Sequence, residues 1–406
     1  MQRNKDAKIN RDTFAKNIAI LKTSPESLLG LGKEGMEYIL QTQMHTSISS
    51  ASSIEILSIP KEQRKDISQN ELRKRVMELI SDPPSEKPFR VQYIIDQDFH
   101  YTAVDIYIGE NEAKCFVLDA ANEIKKKYII DALLKEVKGT PLENIKVYDA
   151  SGGTVYGGIQ LDESSCPLFA LDHVLILMKT NPYDILDKPP IEEKKETMPE
   201  DASPYPNYHK VSWLNMPFEY VQNAQNFNFL NNYKMIFPTL SALIDERLKE
   251  TTAIGIGRKG PKNKNFSIEL KHEQFAKVAI NSLILEEKYE FLKSLAEKCN
   301  PNSELTLFQR RPKPSMEMKK LFPLLREIYS LSPLTDENKI ENMYNKVEQQ
   351  IINSPDYDLV EQSDYRTVIA NIGSMKHSYS ALLERLPKTL QTQLEENKVS
   401  TKKLGR

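Results

Sequence analysis

The chain has 406 residues, enough for two or three domains, and 28 % of them are charged. Its formal net charge of −2 at pH 7 does not indicate a nucleic-acid partner. The mean hydropathy is −0.52. No apolar run approaches the roughly 18–20 residues that a membrane span needs, so no span is predicted.

Cysteine usage and the N-terminus bear on the compartment. The three cysteines, Cys115, Cys166 and Cys299, lack the paired spacing of a disulfide framework or a zinc site, so no metal site is predicted. We therefore expect a reducing environment, in which a single thiol can act as a nucleophile. Residues 1–6 are polar and lack the apolar segment of a cleaved signal peptide.

Residues 1–85 are expected to form an N-terminal helical region. A weakly helical pattern covers 34–44, and a stronger one begins at 66–72. The apolar positions of the stronger pattern share one helical face: Leu72, Val76, Leu79 and Ile80. Pro83 and Pro84 end this helix.

Residues 86–180 change to an α+β pattern and form the predicted core. Four runs rich in β-branched and aromatic residues predict strands: 91–95, 103–108, 115–118 and 145–148. A helix over 122–138, a glycine-rich loop over 152–158 and a helix from Pro167 to about 179 complete the core. The first connections are too short for crossovers, so we expect a small, mixed, partly antiparallel sheet with helices.

The second half of the chain differs from the core in composition and in periodicity. Six prolines and the charged run 192–196 predict an exposed linker over 181–212. Helical periodicity then dominates 213–398 and predicts a large, all-helical region for regulation or target binding. Its clearest helices are expected at 237–249, 274–299, 316–330 and 338–352, and residues 399–406 are a basic tail.

Four polar residues of the core occur in an order that suits a cysteine nucleophile. His100 can take the thiol proton of Cys166, and Asp119 can orient the imidazole and stabilise its protonated form. Gln160 can donate a hydrogen bond to the oxyanion of an acyl intermediate. In a hairpin, His100 and Asp119 are predicted to lie opposite each other. The positive end of the helix that starts at Cys166 favours a thiolate.

Each of these residues also has a structural interpretation when taken alone. A lone histidine after an aromatic residue is more often structural, and a lone cysteine at a helix start is more often a small buried side chain. Asp119 can simply cap the following helix. Only the ordered set, on fitting secondary structure, points to chemistry.

The ordered set resembles the Ulp/adenain-type cysteine protease clan and, within it, the YopJ family of bacterial effectors. The acid follows the histidine by 19 residues, and the glutamine precedes the cysteine by six. The resemblance covers about residues 90–180, including the helix after the nucleophile. The matching positions are His100, Asp105, the run Asp119-Ala120-Ala121-Asn122, Gln160 and Cys166.

Two positions depart from the family pattern. The usual acid is glutamate, where this chain has Asp119, and the residue after the nucleophile is normally glycine, where this chain has Pro167. Proline has no N–H, so any oxyanion donor that relatives have at this amide is missing here. Because proline suits the first turn of a helix, we do not interpret the change as inactivation.

The resemblance implies an acetyltransferase that loads acetyl from acetyl-CoA onto the cysteine and passes it to Ser, Thr or Lys of host proteins. It also implies activation by inositol hexakisphosphate on a flanking helical region. Such a protein is secreted by a bacterium, without a cleaved signal peptide, into the host cell cytosol. The cations expected to bind the polyphosphate are His209, Lys210, Arg258, Lys259 and Lys262.

Two other functions stay open. A Ulp-like protease would remove ubiquitin or a ubiquitin-like protein through the same acyl-cysteine, so the catalytic residues do not separate hydrolysis from acyl transfer. The second alternative is a catalytically inactive helical interaction protein, and Pro167 is its only support. The sequence makes no prediction of the oligomeric state.

Overall fold

The computed structural model divides the chain into two compact units. One comprises Ser24–Leu40 and Ile48–His272, and the other comprises Met1–Thr23, Gln41–Ser47 and Glu273–Arg406. The residues whose structure is described are 33, 35–37, 39–40, 52–60, 71–82, 87–97, 100–121, 126–136, 138–140, 143–150, 158–160, 165–188, 207–250, 266–299, 323–333, 336–353 and 359–383.

The first unit is built on a six-stranded sheet whose strands lie side by side in chain order. Antiparallel pairing joins β2 to β3 and β3 to β4. Parallel pairing joins β1 to β2, β4 to β5 and β5 to β6. The strands are β1 Ser52–Ser58, β2 Phe89–Asp96, β3 Tyr101–Ile108, β4 Ala113–Leu118, β5 Lys146–Ala150 and β6 Tyr208–Val211.

Two helices cover one face of this sheet and provide crossovers that parallel strands require. Helix α1 (Glu71–Ser81) connects β1 to β2, and helix α2 (Lys126–Glu136) connects β4 to β5. Alternate strand residues point to this face because side chains alternate along a strand. The core between helices and sheet includes Leu72, Val76, Val91, Val104, Val117, Ile129 and Leu133.

Helix α3 (Cys166–Leu177) packs on β3 and β2 and has buried residues all round. A helix that is buried on every side needs partners beyond one sheet. The segment after β6 supplies them, because the rings of Trp213 and Tyr220 pack against His173 of α3. The helix that begins at Cys166 is therefore enclosed between the sheet and this later segment.

The described helices that lie between α3 and residue 250 are short. Asn226 caps one of them by accepting a hydrogen bond from the N–H of Phe229 at 3.1 Å. The helices are α4 Tyr183–Leu186, α5 Phe218–Val221, α6 Phe227–Ile236 and α7 Ser241–Glu250, with 3₁₀ turns at Trp213–Asn215 and Pro238–Leu240.

Three long helices dominate the described part of the second unit. Helix α8 (Phe266–Cys299) begins in the first unit, and α9 (Glu337–Asn353) and α10 (Leu359–Leu383) follow. The ammonium of Lys288 lies 2.6 Å from both carboxylate oxygens of Glu341. The ring of Phe291 contacts those of Tyr344 and Tyr365. These contacts join all three helices in one bundle.

The α+β class, the mixed sheet and the helical C-terminal region are confirmed, whereas two strands were not predicted. Strand β1 lies in the range expected to be helical, and β6 and α4 lie within the predicted linker. β1 and β6 are the edge strands of the sheet, and both carry polar residues. Their sequences therefore give only a weak strand pattern, and they form strands because they pair with a neighbouring strand. Among the described residues, no helix is long and apolar enough to cross a membrane.

Candidate active site

His100 and Asp119 meet at the end of the hairpin formed by β3 and β4. The imidazole Nε2 lies 3.0 Å from Oδ2 of Asp119, and the two side chains are 2 % and 0 % exposed. The β3–β4 register pairs Ala103 with Leu118, so the two residues are diagonal neighbours rather than directly opposite. Asp119 is also anchored from the other side, since its Oδ1 accepts the N–H of Ala121 at 3.1 Å.

The thiol of Cys166 completes a chain of contacts with this pair. Cys166 is the first residue of α3, is buried, and is hydrogen-bonded to the His100 side chain. Burial by itself lowers the pKa of His100, but its hydrogen bonds to Asp119 and to Cys166 outweigh that effect and raise the pKa to about 10. His100 is therefore protonated at neutral pH, and its positive charge lies beside the sulfur of Cys166.

Gln160 is held next to Asp119 through the backbone. The N–H groups of Ile159 and Gln160 both donate to the carbonyl of Ala120, at 2.8 and 2.9 Å. A Cβ at Gly158 would lie 2.4 Å from the same carbonyl oxygen, so only glycine permits this close approach. The loop that carries Gln160 thus lies against the residue that follows the acid.

The segment between β6 and α6 binds α3 along its length, which the sequence did not predict. The amide of Asn223 donates to Oδ2 of Asp172 at 2.7 Å. Nε2 of His173 donates to the carbonyl of Tyr220 at 3.1 Å, and burial lowers the pKa of His173 and keeps the ring neutral. This segment mixes aromatic, apolar and polar residues, and its sequence carries no pattern that identifies such contacts.

A family model of the YopJ serine/threonine acetyltransferases matches residues 43–277, which is more than half of the chain. The chain belongs to the YopJ family. The match extends well beyond residues 90–180, on which the sequence resemblance rests, and includes the whole sheet and the segment that binds α3. No curated protein matches the chain.

Membership in the YopJ family defines the general activity. It is acetyl transfer, with an acyl-CoA as the general class of donor. YopJ proteins are bacterial effectors that are delivered into host cells.

Asp105, one of the positions that match the YopJ pattern, lies in a separate network. Its carboxylate binds Arg90 at 2.8 Å, the amide of Gln92 at 2.7 Å and the hydroxyl of Tyr183 at 2.8 Å. Burial raises the pKa of Asp105, and these donors partly offset that effect. Arg90 also donates to the carbonyl of Thr180 at 2.9 Å. Asp105 therefore holds β2, β3 and the chain after α3 together.

Pro167 occupies the first turn of α3, where it departs from the usual YopJ glycine. It contributes no N–H, and the amides of Leu168 and Phe169 donate to the carbonyl of Ser165 at 3.0 and 3.1 Å. These three positions therefore offer no ready donor to an oxyanion.

The cations expected to bind a polyphosphate are described only in part. His209 and Lys210 lie exposed on β6, and the ring of His209 stacks on Tyr148 with centroids 5.4 Å apart. The other expected ligands, Arg258, Lys259 and Lys262, lie outside the described residues.

Proposed function

We propose that this YopJ protein transfers acetyl through a thioester on Cys166. The proposal rests on the contact between His100 and Asp119, together with the hydrogen bond between His100 and Cys166. An imidazolium held between a carboxylate and a sulfur suits a nucleophilic thiolate. Gln160, held beside Ala120 in the same region, suits the role of oxyanion donor.

In the first half-reaction, the Cys166 thiolate attacks the carbonyl carbon of acetyl-CoA. The oxyanion of the tetrahedral intermediate accepts a hydrogen bond from the Gln160 amide. The C–S bond to coenzyme A breaks, His100 gives its proton to the departing CoA thiolate, and an acetyl thioester remains on Cys166.

In the second half-reaction, the acceptor hydroxyl or amine attacks the thioester. Neutral His100 takes the proton from the acceptor, the C–S bond to Cys166 breaks, and the acetylated product leaves. The resulting imidazolium again faces a thiolate, and Asp119 stabilises the charge and keeps the ring oriented. The proposed acceptors are Ser, Thr or Lys side chains of host proteins, in the cytosol to which an effector is delivered.

We further propose inositol hexakisphosphate as an activator. The basic run that contains Arg258, Lys259 and Lys262 has no acidic residue, and His209 and Lys210 present two further polar groups on an exposed strand. Phosphate groups are bound by clusters of this kind through charge-assisted hydrogen bonds.

One paired experiment tests the proposed function. The protein and its Cys166→Ala variant are incubated with labelled acetyl-CoA, with and without inositol hexakisphosphate, and separately with ubiquitin and SUMO suicide probes. We expect Cys166-dependent acetyl label that the polyphosphate increases, and no probe adduct. Probe labelling without acetyl label would replace the proposal with a Ulp-like protease, and no label in either arm would indicate an inactive interaction protein.

A further inference from the structure

Gln225 contacts the neighbours of both Gln160 and Cys166. Its backbone N–H donates to the carbonyl of Ile159 at 2.8 Å, and its side-chain Nε2 donates to the hydroxyl of Ser165 at 3.2 Å. Gln225 is 1 % exposed. Ile159 directly precedes Gln160, and Ser165 directly precedes Cys166, so one buried residue connects the two loops.

Gln225 is itself held firmly in place. On one side, the N–H of Ala224 donates to the carbonyl of Val221 at 2.9 Å. On the other side, Asn226 caps α6 through its contact with Phe229 at 3.1 Å. Local hydrogen bonds on both sides restrain the backbone of Gln225, and the contact of Nε2 with Ser165 holds its side chain.

The hydroxyl of Ser165 is used in an unusual way. Ser165 is the N-cap residue of α3, where a serine hydroxyl commonly accepts a hydrogen bond from an N–H of the first turn. Here it makes no such bond and accepts from Gln225 instead. The start of the helix that carries Cys166 is therefore tied to a residue that is distant in sequence.

The hydrogen bond between Gln225 and Ser165 is important because of Pro167. Pro167 has no N–H, and the amides of Leu168 and Phe169 donate to Ser165, so the Gln160 side chain gains importance as a donor to the oxyanion. A donor stabilises an oxyanion only when it lies about 3 Å from the position where the charge develops. The distance between Gln160 and Cys166 is then decisive, and Gln225 contacts the neighbour of each.

We propose that Gln225 is a positioning residue for acetyl transfer, which fixes the Gln160 amide relative to the Cys166 thiol. This inference rests on the roles proposed above for Gln160 and Cys166. The two hydrogen bonds of Gln225 described above reach the neighbours of Gln160 and Cys166, so in this proposal it acts through Gln160.

A double-mutant cycle between Gln225→Met and Gln160→Ala tests this role. Methionine keeps the backbone N–H and the side-chain length but has no donor. We expect Gln225→Met alone to lower kcat for acetylation about 10- to 100-fold, as small misplacements of catalytic groups do, with little change in KM for acetyl-CoA. In the Gln160→Ala background the same substitution should lower kcat by no more than about twofold.

Two further measurements separate positioning from a general loss of structure. The pH profile of Cys166 alkylation should be unchanged in Gln225→Met, because the proposed role of Gln225 concerns the Gln160 loop and the start of α3, and not the pair of His100 and Asp119. Gln222→Met is the matched control in the same segment, since the Gln222 side chain donates to the carbonyl of Glu219 at 3.2 Å and accepts from Arg247 at 3.4 Å, away from Gln160 and Cys166. It should leave kcat unchanged.

Equal losses from Gln225→Met in the two backgrounds would overturn the positioning role. If that variant does not fold, Ser165→Ala, which removes the acceptor of the same hydrogen bond, enters the cycle with the same criterion. Cys166→Ala separates this inference from the proposed function. Residual acetylation in Cys166→Ala contradicts the thioester itself, whereas an inactive Cys166→Ala with an additive cycle contradicts only the role of Gln225.

Discussion

Nε2 of His100 lies 3.0 Å from Oδ2 of Asp119, and this contact opposes the effect of burial on the imidazole. Burial disfavours the charged ring, while Asp119 and Cys166 together raise its pKa to about 10. The group that delivers a proton to the leaving thiolate is therefore protonated over the whole physiological range. We expect the acetylation rate to fall on the alkaline side only as the pH approaches 10.

Asp119→Asn should move the alkaline fall of the acetylation rate (the alkaline limb) to lower pH. The variant keeps a side chain of the same shape but removes the negative charge that raises the pKa of His100, whereas the desolvation that lowers it remains. The measurement is kcat/KM for acetylation across pH in wild type and variant. Asp119→Glu is the control, since glutamate is the acid expected from the family pattern. In this variant the alkaline limb should stay at high pH. An unchanged limb in Asp119→Asn would show that Asp119 does not set the protonation of His100.

Gly158→Ala should displace the loop that carries Gln160. The added Cβ would lie 2.4 Å from the carbonyl oxygen of Ala120, so the backbone must move. We expect loss of most acetylation activity and of about 1–3 kcal/mol of stability, the usual cost of forcing extra atoms into a packed site. The measurements are the acetylation rate and the free energy of unfolding in urea.

Gly373→Ala is the matched control for the glycine substitution. Gly373 lies in α10, and a Cβ there would meet nothing within 4 Å. Alanine is the better helix former, so this variant should gain roughly 0.5–1 kcal/mol and keep its activity. Full activity in Gly158→Ala would contradict the close approach of the Gln160 loop to Ala120.

Arg90→Ala should destabilise the first unit by about 3–5 kcal/mol, because it leaves the fully buried carboxylate of Asp105 without its cation. The loss should shrink as the pH falls, since burial already raises the pKa of Asp105 and a protonated Asp105 needs no cation. Urea unfolding at several pH values measures both effects.

Arg75 provides the comparison for Arg90. It pairs with Glu55 at 2.9 Å and Glu78 at 2.8 Å, but its side chain is 36 % exposed. Solvent screens such pairs, so Arg75→Ala should cost no more than about 1 kcal/mol. Equal losses in the two variants would contradict the structural role assigned to the Arg90–Asp105 pair.

Cys166 should react with iodoacetamide far faster than Cys115. Both thiols are buried, but burial raises the pKa of Cys115 well above its ordinary value, whereas Cys166 lies beside the imidazolium of His100. Peptide mapping after a short exposure at neutral pH measures both sites in one sample. Preferential alkylation of Cys115 would contradict the assigned environments.

The sequence predicts the central hairpin and the contact between His100 and Asp119 because both depend on local pattern. Runs rich in β-branched and aromatic residues mark β3 and β4, and the short turn between them brings the two ends together. The Cys166 helix follows from Pro167 and the apolar run after it in the same way. The sequences of these elements therefore predict their secondary structure without reference to distant partners.

Other parts of the site depend on partners distant in sequence and so escape prediction. Strand β6 exists because β5 offers an edge, and its own residues are mostly polar. Asp105 stands at a motif position, yet its partner Arg90 makes it structural. Gln225 lies in a short turn between helices, and only the fold brings its amide to Ser165.

The central claim is that an acetyl thioester forms on Cys166. A single turnover with acetyl-CoA and no acceptor, quenched in acid and mapped by mass spectrometry, tests it most directly. The account predicts one acetyl group on the peptide that contains Cys166, removed by hydroxylamine and absent in His100→Ala. Rapid acetylation of an acceptor by the wild type, with Cys166 never acetylated at any time point, would contradict it.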